Sequence, residues 1–219
     1  MTFNDTHTCP LCEEENAIHR LAAGLDRPYL LCGRCDLVFV PPPSHPSPEE
    51  ERARYDQHRN SPADTGYRRF LSQLVDPLIR RLKPGAAGLD FGCGPTAVLS
   101  LMLEEAGFRM SRYDPFYAPD RGVLDESYDF IACSEAIEHF FRPAGEWSLL
   151  LRLLKPGGLL GIMTLLREPG TDFAGWWYRS DITHVCFYSR RTFKWLADRD
   201  RLDLEFQGTN IALLGKPGG

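Results

Sequence analysis

No apolar run in this sequence approaches the roughly 18 residues needed to cross a bilayer, so no membrane partner is expected. The opening residues, Met1-Thr2-Phe3-Asn4-Asp5, lack a positive stretch followed by an apolar one. Nothing there reads as a signal peptide, and the expected location is the cytoplasm. Positive charge is not in surplus either. The 219 residues carry 25 Lys and Arg against 30 Asp and Glu, a formal net charge of -5. That balance argues against general nucleic-acid binding, which rests on a basic surface. A reducing compartment also removes the disulfide reading of the 7 cysteines. With 43% hydrophobic residues, the chain has enough apolar surface for one full domain and a small appendage. Oligomeric state leaves no mark in the sequence.

Four of the cysteines form two C-x-x-C pairs, Cys9-Pro10-Leu11-Cys12 and Cys32-Gly33-Arg34-Cys35. In such a knuckle both thiolates point inward and the intervening amides face the sulfurs. Two knuckles supply the sulfur tetrahedron that structural zinc prefers. Tyr29-Leu30-Leu31 reads as a strand entering the second knuckle and Leu37–Val40 as one leaving it, a zinc-ribbon layout. A closed four-sulfur site has no open coordination position, so this Zn2+ is expected to be structural. His7 and His19 are surplus to it. A redox role is disfavoured because neither pair opens a helix after a strand. The ribbon and the proline-rich stretch after it, Pro41 to Pro48, make a first module over residues 1–46, where prolines fix an extended spacer.

Residues 47–84 read as entry helices. Pro48-Glu49-Glu50-Glu51 resembles a helix start with acids in the first turn. That helix carries Tyr55, with His58 near its end. Tyr67, Phe70, Leu71, Leu74, Val75, Leu78, Ile79 and Leu82 recur at helical spacing, with a kink expected at Pro77. Tyr55, His58 and Asn60 are either a substrate lid or an exposed helix end, and spacing alone favours the exposed end.

Residues 85–219 alternate strands with helices, which indicates a mostly parallel α/β sheet. Its organising stretch is Leu89-Asp90-Phe91-Gly92-Cys93-Gly94-Pro95-Thr96, a strand end, a glycine turn and a helix start. Glycine lets backbone come close to a small ligand. Asp114 follows at the end of the next strand, the distance at which doubly wound folds place the acid that holds ribose hydroxyls. The turn alone fits a dinucleotide fingerprint as well as another nucleotide-like cofactor. Only one such unit is visible, however, where a dinucleotide uses two halves.

Other motifs tip this balance. Residues 85 to about 165 resemble class I S-adenosylmethionine-dependent methyltransferases. The match rests on Leu-Asp-Phe-Gly-Cys-Gly at 89–94, Asp114, Tyr-Asp-Phe-Ile-Ala-Cys-Ser-Glu-Ala-Ile-Glu-His at 128–139, and Leu-Leu-Lys-Pro-Gly-Gly at 153–158. The whole chain is similar to a bacterial subgroup with an N-terminal four-cysteine zinc ribbon. The resemblance implies a Rossmann-like seven-stranded sheet with helices on both faces and an antiparallel hairpin at its end. It implies S-adenosylmethionine as cofactor. Asp90, Gly92 and Gly94 would line its methionine part, Asp114 would take the ribose hydroxyls and Phe116 would pack on adenine. Cys133, Ser134 and Glu135 would face the cofactor and acceptor. The short segment between Asp114 and Tyr128 departs from the family, and the residue that reads adenine is placed near Val123–Asp125.

Methyl transfer needs an aligned nucleophile, and a hydroxyl, phenol or thiol also needs its proton removed. Two histidines stand on loops at the carboxyl ends of strands, where open α/β sheets bind ligands. His184 is the better base candidate, lying among Trp176, Trp177, Tyr178, Phe187 and Tyr188 with Asp181 and Thr183 close by. His139 either acts directly or orients a loop. Asp181 either orients the His184 imidazole or caps a turn. Cys93 and Cys186 read as small buried hydrophobes. The reading that results is methyl transfer to a small-molecule acceptor, at O, S, N or C. Its rivals are a protein or RNA methyltransferase using the ribbon for recognition, and a non-catalytic module that only binds cofactor.

Overall fold

The computed structural model describes residues 7–21, 25–57 and 60–218. The N-terminal module is a meander of three short strands, β1 (Ile18–Arg20), β2 (Leu30–Cys32) and β3 (Val38–Phe39), paired antiparallel. Its cysteines sit on the two knuckles, as the spacing predicts. A 3-10 turn at Pro42–Ser44 then leads into α1 (Pro48–Tyr55). Ser47 caps α1 by accepting from the Glu50 amide while the Glu50 carboxylate accepts from the Ser47 amide, so two otherwise unpaired donors are satisfied.

Helix α2 (Thr65–Ile79) follows, with Pro77 in its last turn and Leu71, Leu74, Val75 and Leu78 buried, the stripe expected from their spacing. The main sheet begins with β4 (Ala87–Phe91), followed by α3 (Val98–Glu105), β5 (Arg109–Tyr113), β6 (Tyr128–Ser134), α4 (Pro143–Leu153) and β7 (Leu154–Met163). After a long loop come β8 (Cys186–Phe187), α5 (Arg190–Asp200), β9 (Asp203–Gln207) and β10 (Ile211–Gly215).

The sheet order is β5-β4-β6-β7-β10-β9. Strands β5, β4, β6 and β7 are parallel, and β10 runs antiparallel to both β7 and β9. This is the Rossmann-like sheet with its terminal hairpin. It has six strands among the described residues, not seven. The missing strand belongs between β5 and β6. Only a 3-10 helix, Arg121–Asp125, lies there, because the 14 residues after Tyr113 leave no room for a crossover and another parallel strand, a crossover alone needing about a dozen.

Side chains alternate along each central strand between two cores. Phe130, Ala132, Ile211 and Leu213 face α2 and α3, whereas Ile131, Cys133, Ala212 and Leu214 face the other side. That second core is continuous with the N-terminal module. Leu11, Tyr29, Leu37, Val38 and Phe39 are buried in the same cluster as Tyr178, Phe187 and Leu150.

The continuity has a backbone cause. Strand β8 leaves the long loop to pair antiparallel with β3, with Val38 opposite Phe187 and Phe39 opposite Cys186. One small sheet, β1-β2-β3-β8, is therefore built from both ends of the chain. Asp36 fastens the same seam. Its carboxylate accepts from Arg167 at 2.5 Å and from the Ser189 hydroxyl at 2.6 Å, with Arg191 at 3.6 Å. Asp36 adopts a left-handed φ of 63°, which Asn also tolerates. The Asp36→Asn variant removes only the charge and should lower stability by about 1–3 kcal/mol in urea unfolding. A loss below roughly 0.5 kcal/mol, the level of an ordinary surface substitution, would show that this seam contributes little.

Candidate active site

Strand β4 delivers the chain to a turn whose conformation only glycine adopts freely. Gly92 has φ 80° and Gly94 φ 62°. A Cβ on Gly92 would lie 2.5 Å from that of Ala136, while one on Gly94 would meet nothing within 4 Å. The first glycine therefore permits close packing, and the second presents bare backbone to open space. Asp90 is buried at the strand end. Its Oδ2 accepts from the amide and hydroxyl of Ser100, which fixes α3 to β4. Burial, only partly offset by those bonds, pushes its pKa up to about 6.

Asp114 holds the turn from the neighbouring strand. One carboxylate oxygen accepts from the Gly94 amide at 3.0 Å, the other from the Phe116 and Tyr117 amides at 2.9 and 3.1 Å. The expected ribose acid thus also locks the loop that would carry ribose. Phe116 projects beside it. Val123–Asp125, expected near adenine, lie on the 3-10 helix after this loop. Beyond β6, Glu135 takes a left-handed φ of 47° and donates its amide to Met163. Ser134 is half-buried at the strand end. Cys133 departs from its expected place facing the cofactor. It is fully buried in the core, because strand alternation turns it inward with Ile131.

The two histidines meet. His139 ends the 3-10 turn Ile137–His139, and His184 comes from the long loop before β8. Their ring centroids are 4.8 Å apart. Nδ1 of His139 bonds to the Thr183 carbonyl at 3.0 Å, and Nδ1 of His184 to the Tyr178 carbonyl at 2.7 Å. A carbonyl only accepts, so each Nδ1 carries the hydrogen and each Nε2 keeps a lone pair. Burial lowers both imidazole pKa values to about 4, which keeps the rings neutral near pH 7.

Glu138 completes the group. It is fully buried; one oxygen accepts from the Tyr178 hydroxyl at 2.5 Å and the other has no partner among the described residues. The same hydroxyl lies 3.5 Å from the Glu135 carboxyl, whose pKa burial and the nearby Glu138 push up to about 9. One ligand atom from each of Glu138, His139 and His184 lies within 4.8 Å of the others. Such a set can take up a proton or hold a cation. Glu138 and Tyr178 were quoted in the sequence motifs but given no role there. The signal was present in the Glu135, Glu138, His139 spacing, which places three polar groups just past a buried strand.

Helix α1 covers this site. The Tyr55 ring stands between Phe116, at 5.6 Å, and His139, at 5.2 Å. Arg54 pairs with Asp181 at 2.8 Å on the acceptor side, and Asp56 accepts from the Tyr117 hydroxyl at 2.6 Å on the Asp114 side. Tyr55 is therefore half-buried against Phe116 and His139, unlike the exposed helix end that spacing favoured. His58 lies outside the described residues. Asp181 is the turn cap of the two alternatives, since it accepts from the Thr183 amide and hydroxyl while the His184 Nδ1 goes elsewhere. Arg27, which the sequence gave no reason to single out, reaches in from the N-terminal module. Its guanidinium donates to the carbonyls of Ile182, Asp181 and His184 at 2.6, 2.9 and 2.8 Å.

Residues 63–204 match the model of a family described as a methyltransferase domain. The chain belongs to that family. Its cofactor-side motifs are those that resemble S-adenosylmethionine-dependent methyltransferases. Curated relatives include ubiquinone biosynthesis O-methyltransferases from Sodalis glossinidius, 34% identical over 82 residues, and from Pseudomonas savastanoi, 34% identical over 83. Each match covers 37% of this chain and 33% or 35% of the relative, so the chain spans about a third of the length of the relatives it matches. Among solved structures, the 1,6-didemethyltoxoflavin-N1-methyltransferase of Burkholderia thailandensis, bound to S-adenosylhomocysteine, shares the fold with a TM-score of 0.53 and 15% identity. That likeness covers 92% of this methyltransferase and 99% of the other chain. An O-methyltransferase family protein from the same organism gives a TM-score of 0.51 at 14% identity, covering 77% and 63%.

The turn fits the cofactor. Open space over Gly94 leaves room for a close-lying ligand, and Asp114, although buried, lies against that space. The four cysteines likewise fit a metal. Cys9 and Cys35 sulfurs are 3.6 Å apart and those of Cys12 and Cys32 3.5 Å, against about 3.8 Å for tetrahedral thiolates at a zinc–sulfur distance of roughly 2.3 Å. Three of the four are buried and Cys12 is half-buried. Asp114→Ala removes the acid and the turn's anchor together. Calorimetry with S-adenosylhomocysteine should show affinity weakened about 10–100-fold, the equivalent of a lost charged hydrogen bond. Unchanged affinity would mean that the ribose is held elsewhere.

Proposed function

We propose that this enzyme methylates a hydroxyl on a small, planar acceptor. One observation carries the small-molecule part: helix α1 roofs the site and is tied down on both sides, by Arg54 to Asp181 and by Asp56 to Tyr117. A site covered by the chain's own helix suits a small acceptor better than a protein or RNA segment. The oxygen acceptor is supported by the curated relatives, whose names specify O-methyl transfer. The rings of Phe116, Tyr55 and His139, in contact one after another, suit a planar one.

When bound, S-adenosylmethionine supplies a methyl group made electrophilic by its sulfonium, and S-adenosylhomocysteine leaves. Asp90, Gly92, Gly94 and Asp114 would hold the cofactor, Phe116 would pack on its adenine, and Ser134 and Glu135 would face its methyl group. Tyr55 and the Arg54–Asp181 pair close the acceptor side and exclude water. The acceptor oxygen attacks the methyl carbon, and its proton must leave. His184, with His139 beside it, is the group placed for that, since its Nε2 lone pair is free and its Nδ1 is anchored. Cys9, Cys12, Cys32 and Cys35 hold a structural zinc that keeps the N-terminal module folded.

Turnover can be read as S-adenosylhomocysteine formed with a panel of phenols and catechols. His184→Ala should lower kcat by about 100-fold or more, the usual worth of a proton-handling group, while calorimetric affinity for S-adenosylhomocysteine stays within about 2-fold, a difference near 0.4 kcal/mol. Full activity in that variant would remove His184 from the chemistry. Methylation confined to a macromolecular fraction would overturn the small-acceptor reading. Elemental analysis should find about one zinc per four-cysteine site, and chelation should lower the melting temperature. A metal-free native protein would exclude the structural zinc.

A further inference from the structure

The geometry points to a second metal centre, distinct from the cysteine ribbon, in which Glu138, His139 and His184 hold a divalent first-row transition ion beside the acceptor. The starting observation is a fully buried carboxyl oxygen, Oε2 of Glu138, that has no hydrogen-bond partner among the described residues. Leaving such a group unpaired costs about 1–3 kcal/mol or more, so a buried orphan is a reason to look for a missing ligand. Its other oxygen is already oriented by the Tyr178 hydroxyl, which aims the orphan in a fixed direction.

Two further groups converge on the same place. One ligand atom from each of the three residues lies within 4.8 Å of the others. Ligands about 2.1 Å from one ion stand roughly 3.0–3.4 Å apart, so side-chain adjustments of the order of 1 Å close the site. Both imidazoles carry the outer bond typical of metal-bound histidine. Each donates Nδ1–H to a backbone carbonyl, which fixes the ring and leaves the Nε2 lone pair facing inward. The carbonyls belong to Thr183 and Tyr178, in the loop held by Arg27 and Asp181. Glu135, whose carboxyl is near the same Tyr178 hydroxyl, lies outside this three-residue set. A cation would also relieve the burial of two neighbouring carboxyls.

Two nitrogens with one or two carboxylates select the kind of ion. Imidazole favours zinc, iron, cobalt or nickel, and carboxylates extend the range to manganese; magnesium and calcium prefer all-oxygen sites. The sulfur-free set also separates this centre from the four-cysteine one. A bound ion would occupy the Nε2 lone pairs, so in that state the cation, in place of direct proton uptake by His184, would make a coordinated hydroxyl more acidic. That use rests on the methyl-transfer reading above; the binding of the ion does not.

The test is titration of the full-length, zinc-loaded protein with Mn2+, followed by the loss of the free-ion electron paramagnetic resonance signal, without cofactor or acceptor. Cobalt absorption in the visible gives a second probe. About one site beyond the ribbon is expected, weakened at least 10-fold in Glu138→Gln, His139→Gln and His184→Gln, with zinc content and far-UV circular dichroism unchanged. Glu138→Gln keeps the shape of the side chain, and the two histidine changes lie on different segments, so one misfolded variant leaves the others decisive. The inference is overturned if neither Mn2+ nor Co2+ binds beyond the ribbon, or if all correctly folded variants bind as tightly as the native chain. Because nothing is turned over, either result stands whatever acceptor the enzyme uses.

Discussion

The acceptor side of this enzyme depends on one guanidinium. Residues 164–185 run from β7 to β8 with little regular structure, so their carbonyls lack the partners a helix or sheet would provide. Buried carbonyls need donors from somewhere. Arg27 supplies them to Asp181, Ile182 and His184 at once, and its Nε donates to the hydroxyl of Tyr29, which is itself buried in the core. An arginine suits this work because its donors diverge in a fixed plane and it stays charged. The position of His184 is therefore set by the N-terminal module as much as by the sheet that carries the cofactor.

That dependence gives the cysteine module a mechanical meaning. Strand β2 runs into the second knuckle, β3 leaves it, and β3 holds β8 by strand pairing. Asp36, one residue past Cys35, binds Arg167 and Ser189 at the two ends of the same loop. A metal that fixes the knuckles would fix these contacts too. The module shares its core with the larger domain, which explains how so short a segment finds enough apolar surface to bury.

The sequence made the cofactor side readable because its constraints are local. Gly92 and Gly94 need positive φ, Asp114 bonds to amides two and three residues on as well as to Gly94, and the alternation in β6 and β10 follows from a buried sheet. Such features repeat at fixed spacing, and the order of strands follows from them. Cys133 stands beside Ser134 in the motif but on the opposite face of β6, packed in the core with Ile131. The acceptor side was harder for a physical reason. Its residues come from 27, 54–56, 135–139 and 178–184, and no local period links them. His139 and His184 could each be singled out, but not their contact. Tyr55 reads as exposed on its own helix and is enclosed only because α1 folds back over Phe116 and His139.

The lost strand and the gained lid are connected. Fourteen residues between β5 and β6 cannot extend the sheet, and the edge they leave beside Asp114 is short. That edge is where the adenine end of the cofactor would otherwise meet solvent. Helix α1 reaches it through Asp56 and Tyr117, and reaches the opposite wall through Arg54 and Asp181, two contacts within a single turn. Tyr55, between Arg54 and Asp56, then has little choice but to point into the gap. A covering that a longer chain could build into its sheet is supplied here by a helix that follows the proline-rich stretch, its start fixed by the Ser47–Glu50 capping box and its end by Asp181 and Tyr117. The covering is thus assembled from contacts outside the glycine turn, which keeps its own anchors, Asp114 and Ala136, beneath it.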